Sequence, residues 1–335
     1  STVDPSTGTI SQINPIPVVG FYVLGNKQSI STHDSTYIFA GHDGSDVRLY
    51  TVTLSSAAIV HNPVFNSNVV GLKYNCNDST IYAIEENGGG YDFVTVDKTT
   101  GTTTTLGFIS GVTAYVGDAF VLDEDKGRYH FFGLFGGLIK LYSIDIKTGN
   151  VISSPFFPDN VTGLAYNCQD STIYGLWEDS VDYKLEAINP TTGMHSTVGI
   201  LPNIDPGFVA ESATIDANGD YVYRGFSNTN FVMVTVDVSN ANVIYATPFT
   251  DNISGLDHFA CCADTISTGL SEQHNSEEVN MWPNPANGLF RLTWSNDLGQ
   301  ASLSIVGLNG REVINRQNLM GQSVEINTAG MAKGI

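Results

Sequence analysis

The segment that decides the fold is NVVGLKYNCNDSTIYAI, residues 68–84, because the chain repeats it. Residues 160–176 read NVTGLAYNCQDSTIYGL, identical at twelve of seventeen positions, with an offset of 92 residues and no gap. A weaker third copy, NISGLDHF, begins at Asn252, another 92 residues on. Residues outside these segments are also repeated at the same offset, for example Tyr129 and Tyr221. A regular internal period indicates a repeat architecture.

The 92-residue period contains two smaller units. Tyr82 and Tyr174 form a second series, which alternates along the chain with the first series, Tyr129 and Tyr221. The spacing between neighbouring members of the two series sets the unit at about 46 residues, in the range of propeller blades. Each unit reads as four short strands separated by turns rich in Asn, Asp and Gly. In the second unit, strands are predicted at 68–74, 79–86, 91–97 and 102–109. Four antiparallel strands per unit are typical of a β-propeller blade.

The units predict an all-β chain with a six-bladed β-propeller over residues 1–270. Five full units start near Gln28, Asn68, Tyr115, Asn160 and Phe208. A sixth starts at Asn252 and its pattern stops near residue 270. Residues 2–16 resemble 95–109, the third-to-fourth strand segment of the second unit. The N-terminal strands are therefore predicted to complete the sixth blade and close the ring, which removes free sheet edges.

Charge excludes two classes of partner. Asp and Glu total 34 against 14 Lys and Arg, for a net charge of −20. Such a surface repels phosphate backbones and anionic lipids, so neither nucleic acid nor a membrane is an expected partner. The longest apolar run, 131–139, is about half the length of a membrane-spanning helix.

The composition changes after a polar segment, 271–278, which is predicted to be a linker. The remaining residues, 279–335, resemble the type A C-terminal sorting domain of the bacterial type IX secretion system. The matching residues are Pro283, Asn284, Pro285, Gly288, Gly310, Gly330 and Gly334. The resemblance implies a small Ig-like β-sandwich, truncated at Ile335, since the family normally continues for one or two strands. It also implies a partner, the secretion machinery, and a location outside the outer membrane of a Gram-negative bacterium, secreted or on the cell surface.

The propeller repeat also resembles a known family. From Gly163 to Gly193 the chain follows the pattern GLAYN…D…IYGL…INP.TG of secreted six-bladed propellers. The resemblance implies fold more than activity, because propellers serve many functions.

The four cysteines show no zinc spacing. Cys76 and Cys168 occupy equivalent positions in alternate blades, too far apart to pair with each other. Both are predicted to be small buried thiols. Cys261 and Cys262 are adjacent, and their disulfide state is left open.

Two sets of turn residues are candidate sites. Asp216, Asn218 and Asp220 alternate as in the first half of a calcium loop, although the later bidentate Glu is missing; a plain turn is the alternative. The sequence suggests no cofactor other than calcium. Turns of the type Asp-Ser-Thr form with side-chain caps. The Asp-Ser/Thr-X pattern also resembles the O-glycosylation signal of bacteria with this secretion route, with acceptors Ser35, Ser79, Ser171 and Thr265.

Catalytic motifs are missing from the sequence: it has no GxSxG elbow, HExxH pair or P-loop. Four charged residues on or near predicted inner strands are candidates for lining the axial channel: Lys73, Asp257, Glu211 and Asp118. Rim charges without a ligand are the alternative.

Two functions remain. The favoured one is a non-catalytic binding or adhesion propeller that meets an extracellular glycan or protein. The other is an extracellular carbohydrate-active hydrolase or lyase with acidic residues at the channel. An enzyme is the less favoured of the two.

Overall fold

The computed structural model describes fourteen segments of the chain: 2–4, 10–11, 22–31, 34–65, 68–158, 161–178, 182–201, 213–227, 230–249, 280–282, 289–294, 301–306, 312–319 and 322–327. Every regular element in these segments is a β-strand. None of their elements is a helix with the length and apolarity needed to cross a membrane.

The strands group into hairpin-linked sheets. A first hairpin pairs β1 (Thr2–Val3) with β2 (Ile10–Ser11). The first blade holds β3 (Tyr22–Ser31), β4 (Thr36–His42), β5 (Val47–Thr53) and β6 (Ile59–His61). The second holds β7 (Val69–Asn75), β8 (Thr80–Glu86), β9 (Tyr91–Val96) and β10 (Thr103–Ile109). The third holds β11 (Ala114–Asp123), β12 (Arg128–Phe135), β13 (Leu138–Asp145) and β14 (Val151–Ser153). The fourth holds β15 (Val161–Asn167), β16 (Thr172–Glu178), β17 (Tyr183–Ile188) and β18 (His195–Leu201). The fifth holds β19 (Ala213–Ile215), β20 (Tyr221–Ser227), β21 (Asn230–Val236) and β22 (Val243–Phe249).

Each blade is an antiparallel meander in sequence order. The first strands of successive blades approach one another, which places them around the propeller axis. The four strands predicted for the second unit are confirmed to within one residue at each end.

The predicted number of blades is wrong: the described residues form five four-stranded blades, not six. The count of six depended on pairing residues 2–16 with the segment that starts at Asn252. In the described part of the chain, β1 and β2 pair only with each other, and residues 252–270 lie outside it. The hairpin register does match that of β9 and β10, since Thr2 opposes Ser11 as Thr95 opposes Thr104.

The two interleaved tyrosine series are not structurally equivalent. Tyr129 opposes Leu122 at the place where Ile81 opposes Tyr74, so Tyr129 corresponds to Ile81 and not to Tyr82. Tyr129 follows Ile81 by 48 residues, and Ile173 follows Tyr129 by 44. Successive blades therefore alternate between two lengths. Because side chains on a strand alternate between faces, Tyr82 and Tyr129 face opposite ways in their blades.

The core consists of interfaces between neighbouring blades, and two kinds alternate. Blades two and three meet through an aromatic cluster that contains Phe93, Tyr129 and Phe131. Blades four and five meet in the same way around Tyr221 and Tyr223. The other two interfaces are mainly aliphatic; they include Ile38, Leu49, Leu72 and Ile81 between blades one and two, and Val121, Leu141, Leu164 and Ile173 between blades three and four.

A tyrosine hydroxyl bridges each aromatic interface. Tyr129 donates a buried hydrogen bond to the carbonyl oxygen of Gly71, and Tyr221 donates one to that of Gly163 at 2.5 Å. Both glycines lie in β-bulges of a first strand, with φ of 65° and 62°, a conformation that costs glycine little. A Cβ on Gly71 would lie 2.2 Å from the hydroxyl oxygen of Tyr129. We call this pair of hydrogen bonds the tyrosine latch.

The aliphatic interface between blades three and four buries a histidine. The side chain of His130 is completely buried; its Nδ1 lies 2.8 Å from Oγ of Ser143, which donates at 3.0 Å to the carbonyl oxygen of Pro190. Burial lowers the pKa of His130 to about 3, and the positive charges of Arg128 and Lys126 act in the same direction. The imidazole is therefore neutral in the folded protein at pH 7.

The chain divides into two compact units, 1–265 and 266–335. In the second unit, β23 (Asn280–Trp282), β24 (Leu289–Thr293) and β27 (Ser323–Asn327) form one sheet. The pair β25 (Ala301–Val306) and β26 (Glu312–Leu319) forms another. These two small sheets do not establish the predicted Ig-like sandwich. The predicted linker, 271–278, lies outside the described residues.

Removal of the latch should destabilise the propeller. We expect Tyr129→Phe and Tyr221→Phe each to lower the free energy of unfolding by about 1–2 kcal/mol, because a buried carbonyl loses its donor. Tyr245→Phe is the matched control, since Tyr245 is 43% exposed and should change stability by less than about 0.5 kcal/mol. Urea denaturation measures all three. Equal stabilities for the latch variants and the control would contradict the role of the latch.

His130 should make the protein sensitive to acid. Its folded pKa lies below the unfolded value of 6.5, so the unfolded chain binds more protons between pH 6.5 and about 3. Its contribution to stability is therefore complete above pH 6.5 and is lost as the pH falls, by about 1.4 kcal/mol per pH unit. His130→Ile, which copies Ile38 of the first blade, should flatten the pH dependence of unfolding between pH 6.5 and 4. His61→Gln should leave it unchanged; parallel profiles for all three proteins would refute the assignment.

Candidate functional site

The predicted channel residues are only partly described. Lys73 lies on β7, a first strand, opposite Tyr82, and its side chain is half-buried. Asp118 lies on β11, also a first strand, within the irregular stretch between Tyr115 and Phe120. Glu211 and Asp257 lie outside the described residues. The two described candidates are thus on innermost strands, and their role in ligand binding stays a prediction.

The Asp-Ser-Thr turns are side-chain-capped, as predicted. Oδ1 of Asp78 accepts a hydrogen bond from the backbone N–H of Thr80 at 3.0 Å, and its Oδ2 accepts one from the hydroxyl of Tyr82 at 2.8 Å. Asp170 repeats both contacts, at 3.0 and 2.7 Å. The serine between has a left-handed backbone, with φ of 57° at Ser79. The capped turn alone therefore accounts for the Asp at this place.

The predicted O-glycosylation acceptors lie on these turns. Ser35 and Ser79 are exposed and Ser171 is half-buried. Thr265 lies outside the described residues. Glycosylation of these residues stays a prediction, which the intact mass of protein from the native bacterium would test.

The predicted calcium residues form the turn between β19 and β20. Oδ1 of Asp216 accepts hydrogen bonds from the backbone N–H groups of Asn218 and Asp220, at 2.9 and 3.0 Å. The side chains of Asn167 and Gln169, from the fourth blade, donate to carbonyl oxygens of the same turn. Asp216 thus stabilises its own turn. Across the described segments, no group of three or more His, Cys, Asp or Glu side chains is arranged to hold a metal ion. Calcium binding stays a prediction.

Cys76 and Cys168 differ from the prediction in two respects, since both are half-buried and not buried, and only one of them is a thiol. Cys168 is a free, half-buried thiol, but Cys76 is disulfide-bonded. The prediction of a thiol at Cys76 is therefore wrong. Cys261 and Cys262 lie outside the described residues. The equivalence of Cys76 and Cys168 in the repeat did not predict this difference, since a disulfide requires a second cysteine close by in the folded protein.

One surface feature was missed in the sequence. At one end of the third blade, the ammonium group of Lys140 lies 4.3 Å from the ring centroid of Phe135 and 4.6 Å from that of Phe156. Phe135 is 45% exposed and Phe156 is 59% exposed. Leu138, which opposes Phe135 on the next strand, is 57% exposed. The ring of Phe135 lies against the backbone of Gly111. We call Phe135, Leu138, Lys140 and Phe156 the blade-three platform.

Solved structures with a similar architecture are distant. One chain of a nidogen–laminin complex is 13% identical with a TM-score of 0.49, over 67% of this chain and 80% of that chain. A putative TolB from Agrobacterium tumefaciens is 11% identical with a TM-score of 0.49, over 67% and 81%. A gluconolactonase from Xanthomonas campestris is 11% identical with a TM-score of 0.49, over 82% and 83%. At these values they indicate no ligand or reaction. No curated protein matches the sequence.

Two families match the sequence itself. Residues 280–335 match the secretion system C-terminal sorting domain, which indicates export by the type IX system and either secretion or display on the cell surface. Residues 37–207 match a repeat of unknown function, DUF6923, over the first to fourth blades. That match covers just over half of the 335 residues, and the chain belongs to the DUF6923 repeat family.

Proposed function

We propose that the propeller is a non-catalytic binding module, secreted or held on the cell surface after type IX export, with an extracellular glycan or protein as its ligand. A ring of closely packed sheets presents its loops and strand ends on a rigid support, which lowers the ordering cost of binding.

The observation that carries the proposal is how the repeats divide their residues. Residues shared by the copies are used to build blades. The carbonyl oxygen of Gly71 accepts the hydrogen bond of the tyrosine latch, and Asp78 caps a turn and accepts a hydrogen bond from the hydroxyl of Tyr82. A position on the innermost strands differs between copies, with Lys73 at the place of Ala165. Repeats that keep the scaffold and vary the channel are expected of a module that is adapted to a ligand.

The alternative of a hydrolase or lyase would need converging carboxylates at the channel. A polar group suits catalysis when its geometry and pKa are set for a substrate. Asp78, Asp170 and Asp216 instead accept hydrogen bonds from backbone N–H groups of their own turns. This observation favours the binding module.

The sorting domain should be needed for export but not for folding of the propeller. We expect a chain that ends at Ser276, made behind a Sec signal peptide in a host with the type IX system, to fold and to stay in the periplasm. Cell fractionation and protease shaving locate it, and circular dichroism reports its fold. The full chain is the control. The appearance of the truncated chain at the cell surface would contradict the role of residues 279–335.

Ligands should bind without turnover. We expect a screen of polysaccharides, lactones and peptides, with and without calcium, to give saturable binding, weak per site and strengthened by multivalency, and no product. Calorimetry measures binding, and mass spectrometry measures products. Hydrolysis or elimination that disappears in Asp257→Asn or Glu211→Gln would replace the binding module with the enzyme. Asp92→Asn, the same kind of change at a half-buried residue of the second blade, is the control for such a loss.

A further inference from the structure

Comparison of the first and third blades shows what makes the blade-three platform unusual. Arg48 and Lys140 are 92 residues apart and structurally equivalent, since Arg48 opposes Gly41 and Lys140 opposes Gly133. Each also forms an isolated bridge to the segment after the blade's last strand, Arg48 to Val64 and Lys140 to Phe156. The backbone around the two cations is thus the same.

The partners of the two cations are not the same. The guanidinium of Arg48 contacts the carboxylate of Asp43 and lies 3.8 Å from that of Asp46. The equivalent residues of the third blade, at the same offset of 92, are Phe135 and Leu138. Both carboxylates are therefore replaced by apolar side chains, and Lys140 has no carboxylate within 4.0 Å among the residues that the structure describes.

The replacement leaves a cation that a ligand can neutralise. In a chain with a net charge of −20, Lys140 is a positive charge with no ion pair in the described residues, held over two half-exposed phenyl rings. Cation–π contact holds the ammonium group in place but does not cancel its charge. An anionic group brought next to it gains a charge-assisted hydrogen bond. A cluster of exposed apolar side chains, unlike a single one, is typical of interaction sites.

The rings add a second requirement to the ligand. Pyranose rings carry axial C–H bonds on one face, which pack against an aromatic ring, while their hydroxyl groups stay in water. A hexuronate unit bears its carboxylate on that same ring, a few ångströms from its centre. The ring centroids of Phe135 and Phe156 lie 4.3 and 4.6 Å from the ammonium nitrogen, so one such unit spans both kinds of contact.

We infer that the blade-three platform binds carboxylated saccharide chains, with Lys140 pairing with a uronate carboxylate and the exposed rings of Phe135 and Phe156 packing against sugar faces. The inference rests on the proposed binding function and names the ligand class for one surface of it. A single exposed ion pair contributes little, so the affinity of one platform is low, and a long chain binds firmly only where it meets many copies of the protein.

The test is calorimetry of the full chain with polygalacturonate and alginate as probes, and with dextran and polyglutamate as controls. The expected result is binding of both polyuronates, weakened by salt, and no binding of dextran or polyglutamate. Lys140→Gln and Phe156→Ala should each lower the affinity by about threefold to fivefold. Lys140→Arg and Phe156→Tyr should keep most of it. Val64→Ala, at the equivalent place in the first blade, should have no effect.

The outcomes separate this inference from the proposed function. Equal binding of dextran would show that the carboxylate is not recognised, and equal binding of polyglutamate would show that the sugar ring is not recognised. Either result overturns the inference. Polyuronate binding that survives both Lys140→Gln and Phe156→Ala would move the site elsewhere. Absence of polyuronate binding, with another ligand found in the wider screen, would overturn the platform and leave the binding module. Turnover of a substrate would overturn the binding module itself.

Discussion

The propeller depends on the hydrogen bond from a buried tyrosine hydroxyl to the carbonyl oxygen of a bulged glycine in the preceding blade. Tyr129 and Gly71 make it between blades two and three, and Tyr221 and Gly163 make it between blades four and five. The bulge frees a carbonyl from the sheet ladder, and burial of that carbonyl without a donor would be costly. The tyrosine solves this problem and at the same time fixes the distance between two blades. Glycine is required because any side chain at Gly71 would collide with the hydroxyl that satisfies it.

The latch also explains why the chain repeats at 92 residues and not at the length of a blade. In blades two and four, Tyr82 and Tyr174 lie one position further along the second strand, and their hydroxyls bind Asp78 and Asp170 of their own blade. Tyr129 and Tyr221, of blades three and five, therefore bind to the preceding blade, while Tyr82 and Tyr174 stabilise a turn of their own blade. Aromatic interfaces with a latch alternate with aliphatic interfaces that lack it. The unit that is copied is a pair of blades with one interface of each kind.

The turn residues made the strands predictable because each hairpin is a local structure. The same residues do not show which distant segments lie next to each other. Turns rich in Asn, Asp and Gly gave the second blade to within one residue. The same local signals led to a sixth blade, because residues 2–11 carry the register of β9 and β10 without indicating which strand lies beside them. The disulfide at Cys76 was missed for the same reason. The blade-three platform was not predicted because a repeat is recognised from the residues that its copies share. Its signal is a difference, Phe135 in the place of Asp43, and it becomes visible only when equivalent positions are compared for charge.

The strong acidity of the chain follows in part from its turns. Oδ1 of Asp97 accepts hydrogen bonds from the backbone N–H groups of Thr99 and Thr100 between the last two strands of a blade, and Asp145 and Asp237 hold equivalent turns. The bond from the N–H of Thr99 is the largest cause that holds the pKa of Asp97 below its usual range, so this carboxylate stays charged while it stabilises the turn. A carboxylate caps this hairpin in three of the five described blades, while the neutral Asn189 caps it in the fourth, so the fold accumulates negative charge at its turns without any need for an acidic site. Against that background, negative charge carries little information about function, and a cation without a partner carries much more. Among the described residues, the platform around Lys140 is a place where this propeller departs from the charge pattern that its own architecture imposes, because apolar side chains stand where the first blade has carboxylates.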